Sequence, residues 1–170
     1  MDERKWIERI LAGDTQSFSC LVAKYEKMAY TIALRILENR EEAEEAVQDA
    51  FVKMYRALSD FHFDSKFSTW FYRIVYRTAL TALRQQRMFV SYEEAGPVDL
   101  SNGEVESATA LLEREDRKEM IARTLKKLPA DEALLLTLYY LEECSVEEIC
   151  QITELSASNV KVKLFRGRKR

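Results

Sequence analysis

Two segments of the chain concentrate positive charge and contain no acidic residue. The last fifteen residues, 156–170, hold six lysines and arginines, and residues 65–92 hold five. The whole chain carries a formal net charge of −3, so its composition does not account for these cations. Charge of one sign held on a single element is typical of proteins that bind phosphate backbones. Nucleic acid is therefore the partner that these residues indicate.

Aromatic side chains accompany the cations of the first segment. Seven Phe, Trp and Tyr residues lie between Phe61 and Tyr76. On a helix, at about 100° per residue, Trp70 shares a face with the arginines and apolar side chains lie opposite. An ordinary charged surface would usually mix signs and pair them four residues apart, which this face does not do. Cations beside aromatic rings favour single-stranded nucleic acid, at about 1–3 kcal/mol per stacked base, and loop 61–67 offers a pocket for an unstacked base.

The C-terminal basic segment has the outline of a helix-turn-helix. Ser145 and Glu148 form a capping-box pattern that begins one short helix, and Ser156 is placed to cap the next. The second helix has short polar residues first and cations later, as a helix entering the major groove requires. Asn159 and Arg166 are suited to read adenine and guanine, at about 1–3 kcal/mol of discrimination each. The plainer alternative is a basic tail that only solvates the chain.

The remaining sequence predicts an all-α protein of two small helical domains. Four glycines and two prolines are too few for the turns of a β-rich chain. Helical periodicity begins behind predicted caps at Asp14, Asn39 and Ser68. Net charges are +1 for residues 1–92, −6 for residues 93–115 and +2 for residues 116–170. The middle segment holds two of the four glycines, so we expect a flexible acidic linker, which is also able to fold back on the basic faces and quiet the free protein.

Several classes of function are disfavoured. No apolar run approaches the ~20 residues of a membrane span, and the N-terminus has no signal-peptide core, so we expect a cytoplasmic protein without membrane insertion. The three cysteines and His62 lack the spacing of metal ligands, so neither a metal nor another cofactor is expected. No Gly-rich phosphate loop and no nucleophile beside a base are recognisable, so we expect no enzyme and no catalytic residues.

Three motifs in series resemble an extracytoplasmic-function (ECF, group IV) sigma factor of bacterial RNA polymerase. They are E-E-A-V-Q-D-A-F-V-K-M-Y-R-A-L, then F-S-T-W-F-Y-R-I-V-Y-R-T-A-L-T-A-L-R, and then L-P-A-D-E-A-L-L-L-T-L-Y-Y-L followed by L-S-A-S-N-V-K-V-K-L-F-R-G-R. The resemblance covers about residues 8–170. It implies a region 2 domain in residues 1–92, which binds polymerase and recognises and melts the −10 element. A region 4 domain in residues 116–170 would bind the −35 element through its helix-turn-helix.

The resemblance also implies three sets of contact residues. Those expected on the clamp of the largest polymerase subunit are Gln48, Asp49, Phe51, Val52 and Tyr55. Those expected to open and hold the −10 element are Phe61, Phe63, Lys66, Phe67, Trp70, Arg73, Arg77, Arg84 and Arg87. Those expected on −35 DNA are Ser158, Asn159, Lys161, Val162, Lys163, Phe165, Arg166 and Arg168.

Further partners follow from the same resemblance. The apolar helices of residues 116–141 are expected to dock on the flap of the second-largest subunit, and the linker to run toward the RNA exit path. An anti-sigma factor is expected to cover the polymerase- and DNA-binding faces. Three positions depart from the usual family pattern, since Arg77 stands where Asn is usual, Thr81 where Asp is frequent, and Glu154 where the turn usually has Gly. A non-Gly residue at that turn is expected to adopt a less favourable backbone conformation.

A second hypothesis is a helix-turn-helix transcriptional regulator with an N-terminal helical sensor or dimerisation domain. It explains residues 145–170 equally well, but it does not explain the unpaired basic and aromatic face of residues 66–87. A regulator should bind its operator unaided, whereas a sigma factor usually needs core polymerase to bind promoters well.

Overall fold

The computed structural model describes residues 3–90, 125 and 127–169. All regular secondary structure in these ranges is helical, which confirms the all-α prediction. The helices are α1 (Glu3–Leu11), α2 (Thr15–Leu37), α3 (Arg40–Ala57), a 3-10 turn (Leu58–Asp60), α4 (Phe67–Val90), α5 (Ala130–Tyr140), α6 (Val146–Thr153) and α7 (Ala157–Lys169). The predicted linker and the first part of the segment 116–141, predicted to be helical, lie outside the described residues. None of the helices so described is long and apolar enough to cross a membrane.

Side-chain caps fix where the helices of the N-terminal domain begin. The Asp14 carboxylate accepts a hydrogen bond from the Gln16 backbone N–H at 2.9 Å, and Asn39 caps α3 as predicted. The cap predicted at Ser68 is wrong. Helix α4 begins at Phe67, and the Trp70 N–H donates to the Lys66 carbonyl at 3.1 Å, so Ser68 lies within the first turn.

The core of this domain lies where α2, α3 and α4 pack together. Its centre is aromatic, with the Phe51 and Phe71 rings 4.8 Å apart and the Tyr25 ring 5.9 Å from Phe71. Helix α1 was not predicted from the sequence. It packs on α2 through buried Ile7 and Ile10. Offset and tilted rings of this kind stabilise a core beyond their buried area, and the Phe51–Phe71 contact joins α3 to α4.

The C-terminal domain is built on α5, which has Leu135 and Leu138 almost fully buried. Helices α6 and α7 form the predicted helix-turn-helix. Ser145 and Glu148 exchange hydrogen bonds of 3.1 and 2.8 Å as a capping box, which confirms that prediction. The turn residue Glu154 has a φ of 62°, the left-handed conformation expected there for a residue that replaces glycine.

The two domains contact each other, since α6 packs on α4 and α5 on α2. A guanidinium nitrogen of Arg35 on α2 donates to the Leu125 carbonyl at 3.4 Å. The contact brings one helix of the helix-turn-helix onto the basic helix of the N-terminal domain.

Candidate nucleic-acid and polymerase interface

One face of α3 presents apolar and acidic side chains to solvent. Gln48 and Asp49 are exposed, and Val52 and Tyr55 are 47% and 48% exposed. Phe51, predicted in the same set, is instead 8% exposed and packs on the core. Exposed apolar groups beside charged ones suit a protein partner, and Phe51 serves that surface by holding α3 against α4.

Helix α4 is divided into a buried face and a basic face, as its periodicity indicates. Phe71, Val75 and Ala79 are buried on one side. The cations lie on the other side. Lys66, Arg77, Arg84 and Arg87 are exposed, and Arg73 is half-buried. A row of cations on one long helix is able to follow a nucleic-acid backbone.

The aromatic residues of loop 61–67 and the start of α4 pack on one another. Trp70 is half-buried, with its ring 5.0 Å from Phe61 and 5.6 Å from Phe67. Phe61 and Phe67, predicted to meet the opened strand, are only 6% and 3% exposed. Phe63 is 41% exposed in a left-handed conformation, and the Arg4 guanidinium lies 4.9 Å from its ring centre. Phe63 and the half-buried Trp70 are therefore the rings of this cluster with surface left for stacking, and buried Phe61 and Phe67 support them.

Helix α7 exposes nearly all the side chains predicted to meet −35 DNA. Val160 and Leu164 are buried and anchor the helix. The exposed residues are Ser158, Asn159, Lys161, Val162, Phe165, Arg166 and Arg168. These residues lie away from the buried anchors, so α7 has one face that packs on the core and a wider face that is available to the major groove of DNA.

Two of the predicted −35 cations already have partners within the domain. Lys163 is half-buried and forms an ion pair with Asp131. Burial opposes ionisation of Asp131, but the hydrogen bond and charge of Lys163 and the Glu132 backbone N–H together outweigh it, so the pKa of that carboxyl is lowered. The Arg168 guanidinium lies 5.3 Å from the ring centres of Tyr139 and Tyr140. Lys163 thus braces α7 on α5, and Arg168 is held over an aromatic pair.

The contact between domains places carboxylates of the C-terminal domain on the start of α4. Glu148 accepts from the Lys66 ammonium at 3.0 Å and from the Thr69 hydroxyl at 3.4 Å. Glu142 accepts from the Tyr72 hydroxyl at 2.8 Å. Burial, assisted by Glu142, raises the pKa of Tyr72, and the bond to Glu148 raises that of Lys66.

A second ion pair joins the domains further along α4. The Arg77 Nε donates to Glu154 Oε1 at 3.0 Å. At both positions the sequence departs from the residue that is usual in the family that it resembles. The prediction that the α4 cations are unpaired was wrong for Arg77, because helical spacing compares charges within one helix and its partner lies 77 residues away. In the sequence, this contact between the domains is indicated only by charge, since residues 142–154 are acidic and residues 65–92 are basic.

Comparisons with known proteins agree with this division of the chain. The family model for sigma-70 region 2 matches residues 21–88, and the model for sigma-70 region 4 matches residues 118–170. The first match contains α3 and most of α4, and the second contains α5, α6 and α7. The fold and the two basic helices therefore define a sigma-70-type protein.

Similar proteins of known class show which kind of sigma-70-type protein this is. The RNA polymerase sigma-H factor of Pseudomonas aeruginosa is 32% identical over 98% of this chain and 90% of that protein. The ECF RNA polymerase sigma-E factor of Escherichia coli K12 is 31% identical over 95% of this chain and 88% of that protein. The chain belongs to the ECF sigma factors of RNA polymerase.

Solved structures show the same fold. The sigma factor RpoE of Bartonella quintana, crystallised with the anti-sigma factor NepR, superposes with a TM-score of 0.72 at 18% identity, over 91% of this chain and 93% of that one. CnrH, solved with the cytosolic domain of CnrY, gives 0.64 at 22% identity, over 98% and 92%. Sigma factors are initiation factors without enzymatic activity, and this chain directs RNA polymerase to promoters.

Proposed function

We propose that this sigma factor divides promoter recognition among three surfaces. The exposed face of α3 binds the clamp of the largest polymerase subunit, the basic face of α4 holds the opened −10 strand, and α7 enters the −35 major groove. The observation that carries the proposal is the pair of exposed basic helices, one inside each sigma-70 match. The corresponding domains are residues 1–92 and 116–170, joined by residues 93–115.

Polymerase binding is assigned to four exposed residues of α3. Val52 and Tyr55 supply apolar area that the free protein leaves in water, and Gln48 and Asp49 beside them supply polar contacts. Burying an exposed apolar side chain yields about 25 cal/mol per Å², and a carboxylate adds orientation. The helical segment of residues 116–141 is assigned to docking on the flap of the second-largest subunit.

Capture of the −10 strand is assigned to α4 and the loop before it. Arg84 and Arg87 are exposed and form no ion pair with any residue that the structure describes, so they are free to meet phosphates. Phe63 and Trp70 offer the stacking surfaces. A surface that stacks unpaired bases binds the opened strand better than the duplex, so melting is driven by binding energy without chemistry.

Reading of the −35 element is assigned to the first turns of α7. Ser158 and Asn159 are short and exposed at its N-terminus, where they are able to approach base edges. Arg166 is exposed further along, beside Phe165, and Arg168 and Lys161 meet the phosphate backbone. Lys163 contacts a phosphate only if its ion pair with Asp131 breaks.

We also propose an anti-sigma factor as regulatory partner and the cytoplasm as the site of action. Structures of similar fold were solved as a sigma factor with the anti-sigma factor NepR and as CnrH with the cytosolic domain of CnrY. Promoter DNA and polymerase lie in the bacterial cytoplasm, which places the proposed role there.

Footprinting of the reconstituted holoenzyme tests the division between α4 and α7. We expect Arg166→Ala to weaken protection of the −35 duplex, with loss of about 1–3 kcal/mol of binding free energy. We expect Arg87→Ala to leave that protection intact and to reduce permanganate reactivity at the −10 element. Lys27→Ala removes one equally exposed cation from α2 and should change neither. Exchanged effects of Arg166→Ala and Arg87→Ala would refute the assignment.

A further inference from the structure

We propose that α1 is part of the −10 site, where Arg4 positions the ring of Phe63 for stacking with an unpaired base. Helix α1 lies ahead of residues 21–88, which match the region 2 model, so that match assigns it no role. The inference rests on the proposed function of Phe63 in holding the opened strand.

Phe63 has a backbone conformation that is unfavourable for a residue with a bulky side chain. Its φ is 61°, in the left-handed region that such residues rarely adopt. A strained backbone of this kind persists only where the surrounding structure holds it, and it is common at ligand-binding sites. The ring is 41% exposed, so burial supplies only part of the compensation. Specific contacts with neighbouring side chains are therefore needed to hold this residue.

Two side chains from different elements contact the Phe63 ring. The centre of the Phe61 ring lies 4.7 Å away, with an angle of 55° between the two ring planes. The Arg4 guanidinium lies over the ring, 4.9 Å from its centre. A cation over the face of an aromatic ring is attracted by the quadrupole of the ring. Arg4 therefore holds one side of Phe63 and leaves the rest of its exposed surface for a base.

Helix α1 in turn holds the Arg4 guanidinium in place. The Arg4 Nε donates to Glu8 Oε1, one turn further along the helix, at 3.2 Å. Buried Ile7 and Ile10 fix α1 on α2, and α1 also contacts the 3-10 turn that precedes the loop of Phe63. A ring that is already in place loses less freedom when it binds a ligand. An opened strand thus finds Phe63 prepared for stacking.

The affinity of the reconstituted holoenzyme for a single-stranded −10 oligonucleotide, measured by fluorescence anisotropy, tests this role. We expect Arg4→Ala to weaken binding about fivefold, the size of one exposed cation–π contact. Thermal unfolding of the free protein should change little, because Arg4 is exposed. Arg4→Lys keeps a cation near the ring and should recover most of the affinity. Lys5→Ala is the matched control, since it removes an exposed cation from the neighbouring position and should leave the affinity unchanged.

A double-mutant cycle with Phe63→Ala separates positioning of the ring from direct contact between Arg4 and the strand. If Arg4 acts through the ring, Arg4→Ala should cause no further loss of affinity in the Phe63→Ala protein. Additive losses, or normal affinity of the Arg4→Ala protein, would overturn the inference, while a loss with Phe63→Ala alone would leave the stacking role of Phe63 intact. Normal affinity of the Phe63→Ala protein would refute that stacking role and the inference with it.

Discussion

Phe51 and Val52 are neighbours on α3 but lie in different surroundings, one in the core and one in solvent. Phe51 and Val52 were both expected to meet polymerase. Phe51 is 8% exposed and packs on Phe71, whereas Val52 is 47% exposed. The resemblance to sigma factors identified the segment, but only packing shows which side chains are left for a partner.

Substitutions at these two positions should therefore have separable effects. Val52→Asp places a charge on the proposed polymerase-binding face and should weaken binding to core polymerase by at least tenfold, with little change in the free energy of unfolding. Phe51→Ala should lower that free energy by about 3–5 kcal/mol, because it leaves a cavity in an aromatic core. Pull-down of core enzyme and thermal unfolding measure the two quantities. Normal polymerase binding by Val52→Asp would exclude this face.

At the scale of elements, local signals predicted helix starts well. Asp14, Asn39 and Ser145 cap their helices because a short polar side chain satisfies a free N–H whatever the rest of the protein does. Ser68 does not cap α4, because the helix already begins at the preceding residue, Phe67. Helix α1 was missed because nine residues give fewer than three turns of periodicity, and its stability depends on packing against α2.

Helix α7 depends on a glycine that local propensity would disfavour. A Cβ added to Gly167 would lie 2.8 Å from Leu136 Cδ1, and Leu136 is itself buried on α5. Glycine in a helix costs about 0.5–1 kcal/mol relative to alanine, so the close approach of α5 and α7 is what this residue permits.

Gly167→Ala should consequently destabilise the C-terminal domain in spite of alanine's better helix propensity. We expect a loss of about 1–3 kcal/mol from overpacking, read from urea unfolding followed by circular dichroism. Ser158→Ala, at an exposed position of the same helix, should change stability by less than about 0.5 kcal/mol. A Gly167→Ala protein as stable as wild type would show that α5 and α7 separate at little cost.

At the scale of the whole molecule, the sequence indicated two domains but not how they meet. Hydrophobic periodicity and caps are local, whereas the contact between the two domains depends on donors and carboxylates 70 or more residues apart. The prediction that the acidic linker folds back on the basic faces concerns a segment that lies outside the described residues. The carboxylates that the structure places on α4 belong to the helix-turn-helix domain instead.

The central claim is that two basic helices, one in each domain, read two separate promoter elements on behalf of core polymerase. Transcription reconstituted with core enzyme on a library of randomised promoters, followed by sequencing of transcript starts, tests it most directly. The account predicts starts that depend on this protein and share two upstream elements. Arg166→Ala should relax base preference at the −35 element only. Arg87→Ala should reduce the amount of transcript without altering the preference at the −35 element. Starts that share no upstream element, or an Arg166→Ala protein with altered preference at the −10 element, would contradict it.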